Sequence, residues 1–214
     1  MSAPALTATA IAGLIDHAIL KPELTRAEVD AGLDLAADYR IFSVCVRPSD
    51  VPHAVTRLAG TGVAVGTVIG FPHGTTSTAA KVAEARQALA DGAQELDMVL
   101  NIGLLRSGEN ELVADDVRAV VAVAGGRVVK VILETALLSD EQVVAGCRAT
   151  EAAGASFVKT STGFAGGGAT PEHVRLMRAS VGPSVQVKAS GGVRDLDTVQ
   201  ALHAAGATRF GTSG

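Results

Sequence analysis

The repeating unit of this chain is clearest in residues 139–163, which read SDEQVVAGCRATEAAGASFVKTSTG. Ser139 precedes an Ala-rich amphipathic segment, and a serine in that place caps a helix, so the pattern predicts a helix over 140–153. Gly154 is a typical residue just past a helix end. The apolar run after it predicts a β-strand over 156–160. The stretch is therefore one helix and one strand, followed by a loop of small polar residues.

The same alternation of helices and strands continues along the chain. Short apolar runs predict eight strands, at 14–20, 42–46, 63–69, 95–100, 128–133, 156–160, 184–189 and 208–211. Amphipathic segments predict helices at 25–38, 77–91, 115–124, 140–153, 171–180 and 196–205. Such alternation indicates βαβ units and a parallel sheet. Eight strands close a (β/α)₈ TIM barrel, so we predict an α/β fold with one barrel domain over 1–214.

A doubly wound open sheet is the rival architecture. It normally has fewer strands, and no G-x-G-x-x-G motif follows the first predicted strand. The length of 214 residues is short for a TIM barrel but within its range. The pattern therefore favours the barrel.

Composition excludes several classes of partner. The formal net charge of −4 argues against a nucleic acid or an anionic membrane, and 3% aromatic residues argue against base stacking. No apolar run approaches the roughly 20 residues of a membrane span, and the N-terminus lacks the pattern of a signal peptide. Two cysteines are too few for a disulfide framework or a zinc cluster. We expect a cytoplasmic protein without a metal site.

Charged residues interrupt strands that should be apolar. In the strand at 95–100, Glu95 and Asp97 point to the same face, because alternate residues of a strand do so. Lys130 lies in the middle of its strand, while Lys159 and Lys188 lie near the ends of theirs. The carboxyl ends of barrel strands carry the chemistry of TIM-barrel enzymes. These positions predict a charged site at one end of the barrel.

Buried ion pairing is the simplest interpretation of Glu95 and Lys130, which lie deeper in their strands. For Lys159 and Lys188 a catalytic role fits better, because burial and a neighbouring like charge both lower the pKa of a lysine. A neutral amine at pH 7 attacks carbonyl carbons. We interpret one lysine as a Schiff-base nucleophile and the other as the group that lowers its pKa. Asp97 could then move protons, directly or through a water.

Loops rich in glycine and hydroxyl groups follow the last three strands, at 160–163, 190–192 and 211–214. Backbone N–H groups in such turns bind anions. In TIM barrels a phosphate site usually forms from the loops after strands 7 and 8. Tight βα turns also need glycine, but two such loops at the two expected positions favour a phosphate-bearing substrate.

Several motifs, taken in order, resemble one known family. The stretch 158–164, VKTSTGF, resembles the Schiff-base signature of the deoxyribose-phosphate aldolases. The other matching motifs lie at 16–17, 44–46, 70–74, 95–99, 130–135, 187–192 and 209–213. The resemblance runs from about Ile15 to the C-terminus.

This resemblance implies a class I aldolase that needs no metal or cofactor. Such enzymes reversibly cleave 2-deoxy-D-ribose 5-phosphate, a small sugar phosphate, to acetaldehyde and D-glyceraldehyde 3-phosphate, and often form homodimers or tetramers. The family pattern implies that Lys159 forms the imine, Lys188 tunes it and Asp97 relays protons. It assigns phosphate or substrate contacts to Asp16, Thr160, Gly163, Gly191, Gly192, Ser213 and Gly214. It also implies that Cys45 and Lys130 could line the site.

Three positions depart from the family pattern. Ala18 stands where the family commonly has Thr, and Arg47 where it often has Asn; we expect Arg47 to face solvent. Phe164 replaces a second lysine that some relatives carry, which leaves phosphate binding more to backbone amides.

Two other functions stay open from the sequence. One is another Schiff-base barrel, such as a transaldolase-like or keto-acid aldolase. The other is a catalytically silent barrel that binds a sugar phosphate.

Overall fold

The computed structural model describes residues 7–213 and shows a closed barrel of eight parallel strands in chain order, β1 to β8. The strands are Ile15–Ile19, Ser43–Val46, Ala64–Ile69, Glu95–Val99, Val128–Ile132, Phe157–Lys159, Gln186–Ser190 and Arg209–Thr212. Each predicted strand is present to within two residues at either end. The (β/α)₈ prediction is confirmed, and the open sheet is excluded because β8 pairs with β1.

Nine α-helices, α1 to α9, occur in the described residues. They are Ala8–Ala12, Arg26–Asp38, Val51–Arg57, Thr78–Ala90, Ile102–Arg106, Asn110–Ala124, Asp140–Ala152, Pro171–Ser180 and Leu196–Ala204. All six predicted helices are present. The helix α6 begins at Asn110, five residues before its predicted start, and its N-cap residue Glu109 makes no side-chain cap. The three helices that sequence patterns missed, α1, α3 and α5, have only five, seven and five residues.

Capping side chains set the starts of the predicted helices. Thr25 and Ser139 form full capping boxes with Glu28 and Gln142 three residues on. The side chains of Ser77, Thr170 and Asp195 likewise accept a backbone N–H in the first turn of α4, α8 and α9. Each such bond satisfies a donor that the helix cannot pair internally.

The hydrophobic core lies between the strands and the surrounding helices, not inside the barrel. Outward-facing residues such as Val44, Leu96, Val131 and Val187 are fully buried against the helix layer. The alternate residues of the same strands point inward and are mostly polar or charged. The sequence thus builds an apolar shell around a polar centre.

Aromatic rings close the amino-terminal end of the barrel. The guanidinium of Arg209 lies 3.5 Å from the ring centroid of Phe42 and 5.5 Å from that of Phe157. Both distances suit cation–π contacts. Phe42 is partly exposed, while Arg209 behind it is only 8% exposed. The rings therefore cover the charged interior on this side.

A second buried charge pair lies outside the barrel, between α4 and α6. Lys81 is fully buried, and its Nζ lies 2.5 Å from Oδ2 of Asp116. Thr78 donates to the other carboxylate oxygen at 2.8 Å. This pair joins two helices that pack side by side.

Within the described residues, no helix is long and apolar enough to span a membrane.

Candidate active site

Strand register brings the predicted charged residues together. Asp97 on β4 is opposite Lys130 on β5, and Lys159 on β6 is opposite Lys188 on β7. Lys188 is in turn opposite Arg209 on β8. All five side chains point into the barrel, where each is at most 8% exposed. Strand register therefore collects the charged residues that the sequence singled out in one cluster inside the barrel.

Asp97 lies at the centre of this cluster. Its Oδ2 accepts hydrogen bonds from Lys159 Nζ at 2.8 Å and from Lys188 Nζ at 2.7 Å. Its Oδ1 accepts from Lys130 Nζ at 2.8 Å. Lys130 also contacts Glu95 at 2.6 Å, the ion pair that the strand pattern indicated. One carboxylate thus joins three lysines.

Asp16 on β1 is a second carboxylate centre. Its Oδ2 lies 2.5 Å from Lys188 Nζ and 3.3 Å from Lys130 Nζ. Its Oδ1 accepts from Arg209 at 2.8 Å and from the Ser43 hydroxyl at 2.7 Å. Arg209 received no role from the sequence. It is nevertheless a charged residue inside a predicted strand, the same signal that singled out the lysines.

The two lysines at the barrel mouth differ in their electrostatics. Burial lowers the pKa of Lys159, since Asp97 offsets that penalty only in part and Lys188 adds to it. Burial also acts against the charged form of Lys188, but the carboxylates of Asp16 and Asp97 raise its pKa overall. Lys159 is therefore the amine that gives up its proton more readily. Lys188 keeps its charge beside it.

The carboxylates are held in their charged form. Burial acts to raise the pKa of Asp97, but Lys130, Lys159 and Lys188 together hold it well below its usual range. The pKa of Asp16 is likewise lowered, against the effect of burial, chiefly by Lys188. Burial raises the pKa of the Cys45 thiol to about 11. That thiol is neutral at physiological pH.

A cavity of about 240 Å³ opens at the carboxyl ends of the strands, above the cluster. Lys159, Lys188, Asp16 and Cys45 line its floor. Its walls come mostly from the glycine-rich loops, with Thr162, Gly163, Ser190, Gly191, Gly192, Gly211 and Ser213. The exposed cations Lys21 and Arg194 also line it, and sequence reasoning had not singled them out. The cavity therefore joins a reactive amine to a polar wall with positive charge.

Close backbone packing fixes the wall of the cavity. Gly191 has a φ of +84°, and a Cβ there would lie 2.9 Å from Gly168 Cα. The position therefore requires glycine on both counts. Gly191 O also accepts a hydrogen bond from Ala169 N at 3.0 Å, which ties the loop after β6 to the loop after β7. Gly214, the last predicted phosphate contact, lies outside the described residues.

Thr160 occupies a different place from the substrate contact that we expected. It is fully buried, its hydroxyl donates to Ser190 O at 2.9 Å, and Ser190 N donates back to it at 3.0 Å. These bonds join β6 to β7 directly beside the two lysines. The hydroxyl is therefore bonded to the backbone of β7, and Thr160 does not line the cavity. Lys130, an expected lining residue, lies below the cavity floor, in contact with Asp97.

A second cavity adjoins the first on the side of β1 to β3. It has a volume of about 400 Å³ and mostly apolar walls, and it shares Leu20 and Phe164 with the first. Phe164 makes an edge-to-face contact with Phe71, with ring centroids 5.2 Å apart. Arg47 is turned into the fold, contrary to our expectation that it faces solvent, because it binds Asp50 at 2.6 Å and three backbone carbonyls.

Nearly the whole chain matches one protein family. Residues 10–214 match the family described as DeoC/LacD family aldolase. The chain belongs to this family. The DeoC/LacD match covers all eight strands and every charged residue of the barrel interior.

Curated relatives agree with this membership of the DeoC/LacD family. A deoxyribose-phosphate aldolase of Staphylococcus haemolyticus is 54% identical over 202 residues, which cover 94% of this chain and 92% of the relative. Deoxyribose-phosphate aldolase 2 of Staphylococcus aureus has the same identity and coverage.

Solved structures show the same fold. The crystal structure of a putative deoxyribose-phosphate aldolase from Coccidioides immitis superposes with a TM-score of 0.95 at 44% identity, over 98% of this chain and 84% of that one. The unique tetrameric structure of deoxyribose phosphate aldolase from Aeropyrum pernix gives a TM-score of 0.90 at 33% identity. That match covers 96% of this DeoC/LacD family member and 88% of the archaeal chain.

Proposed function

We propose that this chain is a class I aldolase that reversibly cleaves 2-deoxy-D-ribose 5-phosphate to acetaldehyde and D-glyceraldehyde 3-phosphate. The observation that carries the proposal is Lys159, a buried amine of lowered pKa on the floor of a cavity with a polar, glycine-rich wall. The relatives at 54% identity are named for this activity. The other Schiff-base aldolases left open by the sequence are thereby less favoured.

Imine formation begins at Lys159. Its neutral amine attacks the C1 aldehyde of the open-chain sugar, and the resulting carbinolamine loses water to give the imine. Lys188 carries a proton 2.7 Å from Asp97 Oδ2, which itself lies 2.8 Å from Lys159 Nζ. This arrangement lets Lys188 supply the proton that the departing hydroxyl needs.

The imine then accepts electrons from the C2–C3 bond. As that bond breaks, the C3 hydroxyl loses its proton to a base, C3 becomes the aldehyde carbon of glyceraldehyde 3-phosphate, and Lys159 retains an enamine of acetaldehyde. Asp97 is a weak base because three lysines stabilise its charge. We therefore assign it a relay role with Lys188 or a water, not the role of final proton acceptor. Protonation at C2 and hydrolysis release acetaldehyde and the free amine.

Phosphate binding orients the substrate from a distance. The loops after β6, β7 and β8 present Gly163, Gly191, Gly192 and Ser213 around the cavity, and Lys21 and Arg194 add positive charge at its rim. Contacts to a non-reacting phosphate can hold C1 against the amine, which raises the rate by reducing the entropy lost in reaching the transition state.

Trapping of the imine tests the proposal. The protein is incubated with acetaldehyde and borohydride, and its intact mass and peptide map are measured. We expect one ethyl group, located on Lys159. Lys81 is a matched internal control, because it is also buried but has no access to the cavity. An unmodified Lys159 in folded protein would contradict the class I mechanism.

Substrate comparison tests the specificity. We expect cleavage of deoxyribose 5-phosphate, and little or none of fructose 6-phosphate or 2-keto-3-deoxy sugar phosphates. A reversed preference would retain the imine chemistry but reject the proposed substrate. Saturable binding of deoxyribose 5-phosphate without turnover would instead support a silent binding barrel.

The proposal extends to a cytoplasmic homo-oligomer, either a dimer or a tetramer. Leu35 in the last turn of α2 and Tyr39, the C-cap residue just after it, are exposed by 46% and 69%, so they could contact a second copy. Both cysteines are buried free thiols, the state that a reducing compartment preserves. Light scattering after size exclusion measures the state, and a monomer at micromolar concentration would contradict it.

A further inference from the structure

Charge balance inside the barrel singles out Arg209. In the described part of the chain, the interior cluster contains four cationic side chains and three carboxylates: Lys130, Lys159, Lys188 and Arg209 with Asp16, Glu95 and Asp97. The formal charges cancel only when one of the four cations is neutral. Arginine does not lose its proton in proteins. Arg209 therefore contributes a permanent positive charge to this balance.

Arg209 lies away from the reacting amine. Its NH1 contacts Asp16 at 2.8 Å and Glu95 at 3.4 Å, below the cavity, and it is absent from the cavity lining. Two of the three carboxylates are thus partly neutralised by a group that cannot touch substrate. Its guanidinium is held by cation–π contacts with the rings of Phe42 and Phe157.

The groups around Lys159 can be named strand by strand. Asp97 on β4 contacts its Nζ at 2.8 Å, Lys188 is its neighbour on β7, and Cys45 on β2 lines the same cavity. The rest of the charged interior comes from Asp16 on β1, Glu95 on β4, Lys130 on β5 and Arg209 on β8. Strand β3 contributes no charged side chain, since its sequence is AVGTVI. The carboxylate of Glu134, after β5, is turned to Thr162.

We propose that Arg209 is a positioning residue whose fixed charge keeps Lys159 in its neutral, nucleophilic form. Without this charge the interior carries one net negative charge whenever Lys159 is neutral, and a proton on Lys159 restores the balance. When Arg209 is present, a proton on Lys159 leaves the interior with one net positive charge, because the three carboxylates are already balanced by the other three cations. The inference rests on the proposed function where it is tested by kcat/KM for deoxyribose 5-phosphate, but not where it is tested by trapping acetaldehyde on Lys159.

Arg209→Met tests this through the pH dependence of Lys159. Lys159 reacts only when deprotonated, so the acid limb of kcat/KM reports its pKa in the free enzyme. Arg209 lies two strands from Lys159, about 10 Å away, and at an effective dielectric constant near 20 its loss should move the limb by about one pH unit. We expect a shift to higher pH in Arg209→Met and an unchanged limb in Arg209→Lys.

Glu95→Gln removes a charge of the opposite sign, and it keeps the inference testable even if Arg209→Met does not fold. Glu95 contacts Lys130 and Arg209 and does not line the cavity. Removing its negative charge should move the acid limb to lower pH. The double variant Arg209→Met/Glu95→Gln loses one charge of each sign, so its limb should return close to that of the wild type. A merely structural role would make the double variant the more impaired one.

Lys81→Met is the matched control. It removes a fully buried cation that is paired with a carboxylate outside the barrel, so destabilisation alone should leave the limb where it is. A second measurement of the same acid limb is the rate at which acetaldehyde and cyanoborohydride modify Lys159, followed across the pH range. If that trapping succeeds while deoxyribose 5-phosphate is not cleaved, the proposed substrate fails and the role of Arg209 is still tested. Equal limbs in wild type, Arg209→Met and Glu95→Gln would overturn the inference.

Discussion

Two buried lysines, Lys81 between α4 and α6 and Lys159 at the barrel mouth, occupy opposite electrostatic settings. Lys81 has Asp116 to itself, and the second oxygen of that carboxylate is satisfied by Thr78. Lys159 shares Asp97 with Lys130 and Lys188, both of which contact further carboxylates. Burial is equally severe at both places. The two lysines therefore differ in the number of cations that compete for each carboxylate, and on the proposed function this difference separates a structural lysine from a reactive one.

Lys159→Met should produce the largest difference between the two regions. Loss of the nucleophile removes imine formation, so we expect kcat/KM for deoxyribose 5-phosphate to fall by about 10⁴-fold or more. The substitution retains most of the side-chain volume, so the fold should persist. Steady-state kinetics and circular dichroism measure the two effects. Near-normal turnover would mean that Lys159, like Lys81, has only a structural role.

Lys81→Met should have the reverse profile. It leaves Asp116 buried without its cation, so we expect the free energy of unfolding to fall by about 3–5 kcal/mol, with little change in kcat at low temperature. Urea denaturation measures this loss. The double variant Lys81→Met/Asp116→Leu should recover most of the stability, because a buried pair can be replaced by apolar side chains. A double variant as unstable as the single one would argue against simple pairing.

Lys188→Met tests whether the charge of Lys188, and not burial alone, lowers the pKa of Lys159. Without Lys188 the pKa of Lys159 should rise, so the acid limb of kcat/KM should move to higher pH and activity at pH 7 should fall by about 10²-fold. Lys188→Arg preserves the charge and should retain the position of the limb, though with lower activity. If both variants lose activity without moving the limb, Lys188 acts only as a proton donor.

The smallest effect concerns stability against pH. The pKa of Lys159 is lowered on folding, so between the folded pKa and the unfolded value of about 10.5 the unfolded chain binds more protons than the native protein. Stability therefore gains a component that increases as pH rises through that window. Lys159→Met should lack this component, so the stability of the wild type should rise relative to that of the variant between pH 7 and pH 10. Urea midpoints at pH 7, 8.5 and 10 measure it, and parallel curves would contradict it.

The fold and the charged cluster of the candidate site were largely predictable from the sequence. Charged residues inside otherwise apolar strands singled out Asp97, Lys159 and Lys188, and strand alternation put Glu95 and Asp97 on one face. The same rule applied to β8 would have identified Arg209, whose position at the start of a short strand concealed it. Thr160 could not be placed correctly, because a sequence does not show whether a hydroxyl faces the cavity or a neighbouring backbone.

The short helices were missed for a different reason. The helices α3 and α5 have too few turns to show a period, and α3 begins with a valine and a proline. The contact between Phe71 and Phe164 joins loops more than 90 positions apart in the chain. Such long-range contacts follow from barrel closure, which no local pattern encodes.

Below Lys159 and Lys188 the barrel interior is filled by the charge cluster and, beyond it, by Arg209 and the rings of Phe42 and Phe157, so the cavity of the described residues opens at the carboxyl ends of the strands. Solvent and substrate must then use the same passage at the carboxyl ends of the strands. After cleavage glyceraldehyde 3-phosphate is free in this passage, while the acetaldehyde fragment stays bound to Lys159 until water hydrolyses the imine. We therefore expect an ordered release, with the phosphorylated fragment first and acetaldehyde second, through the one passage by which water also enters.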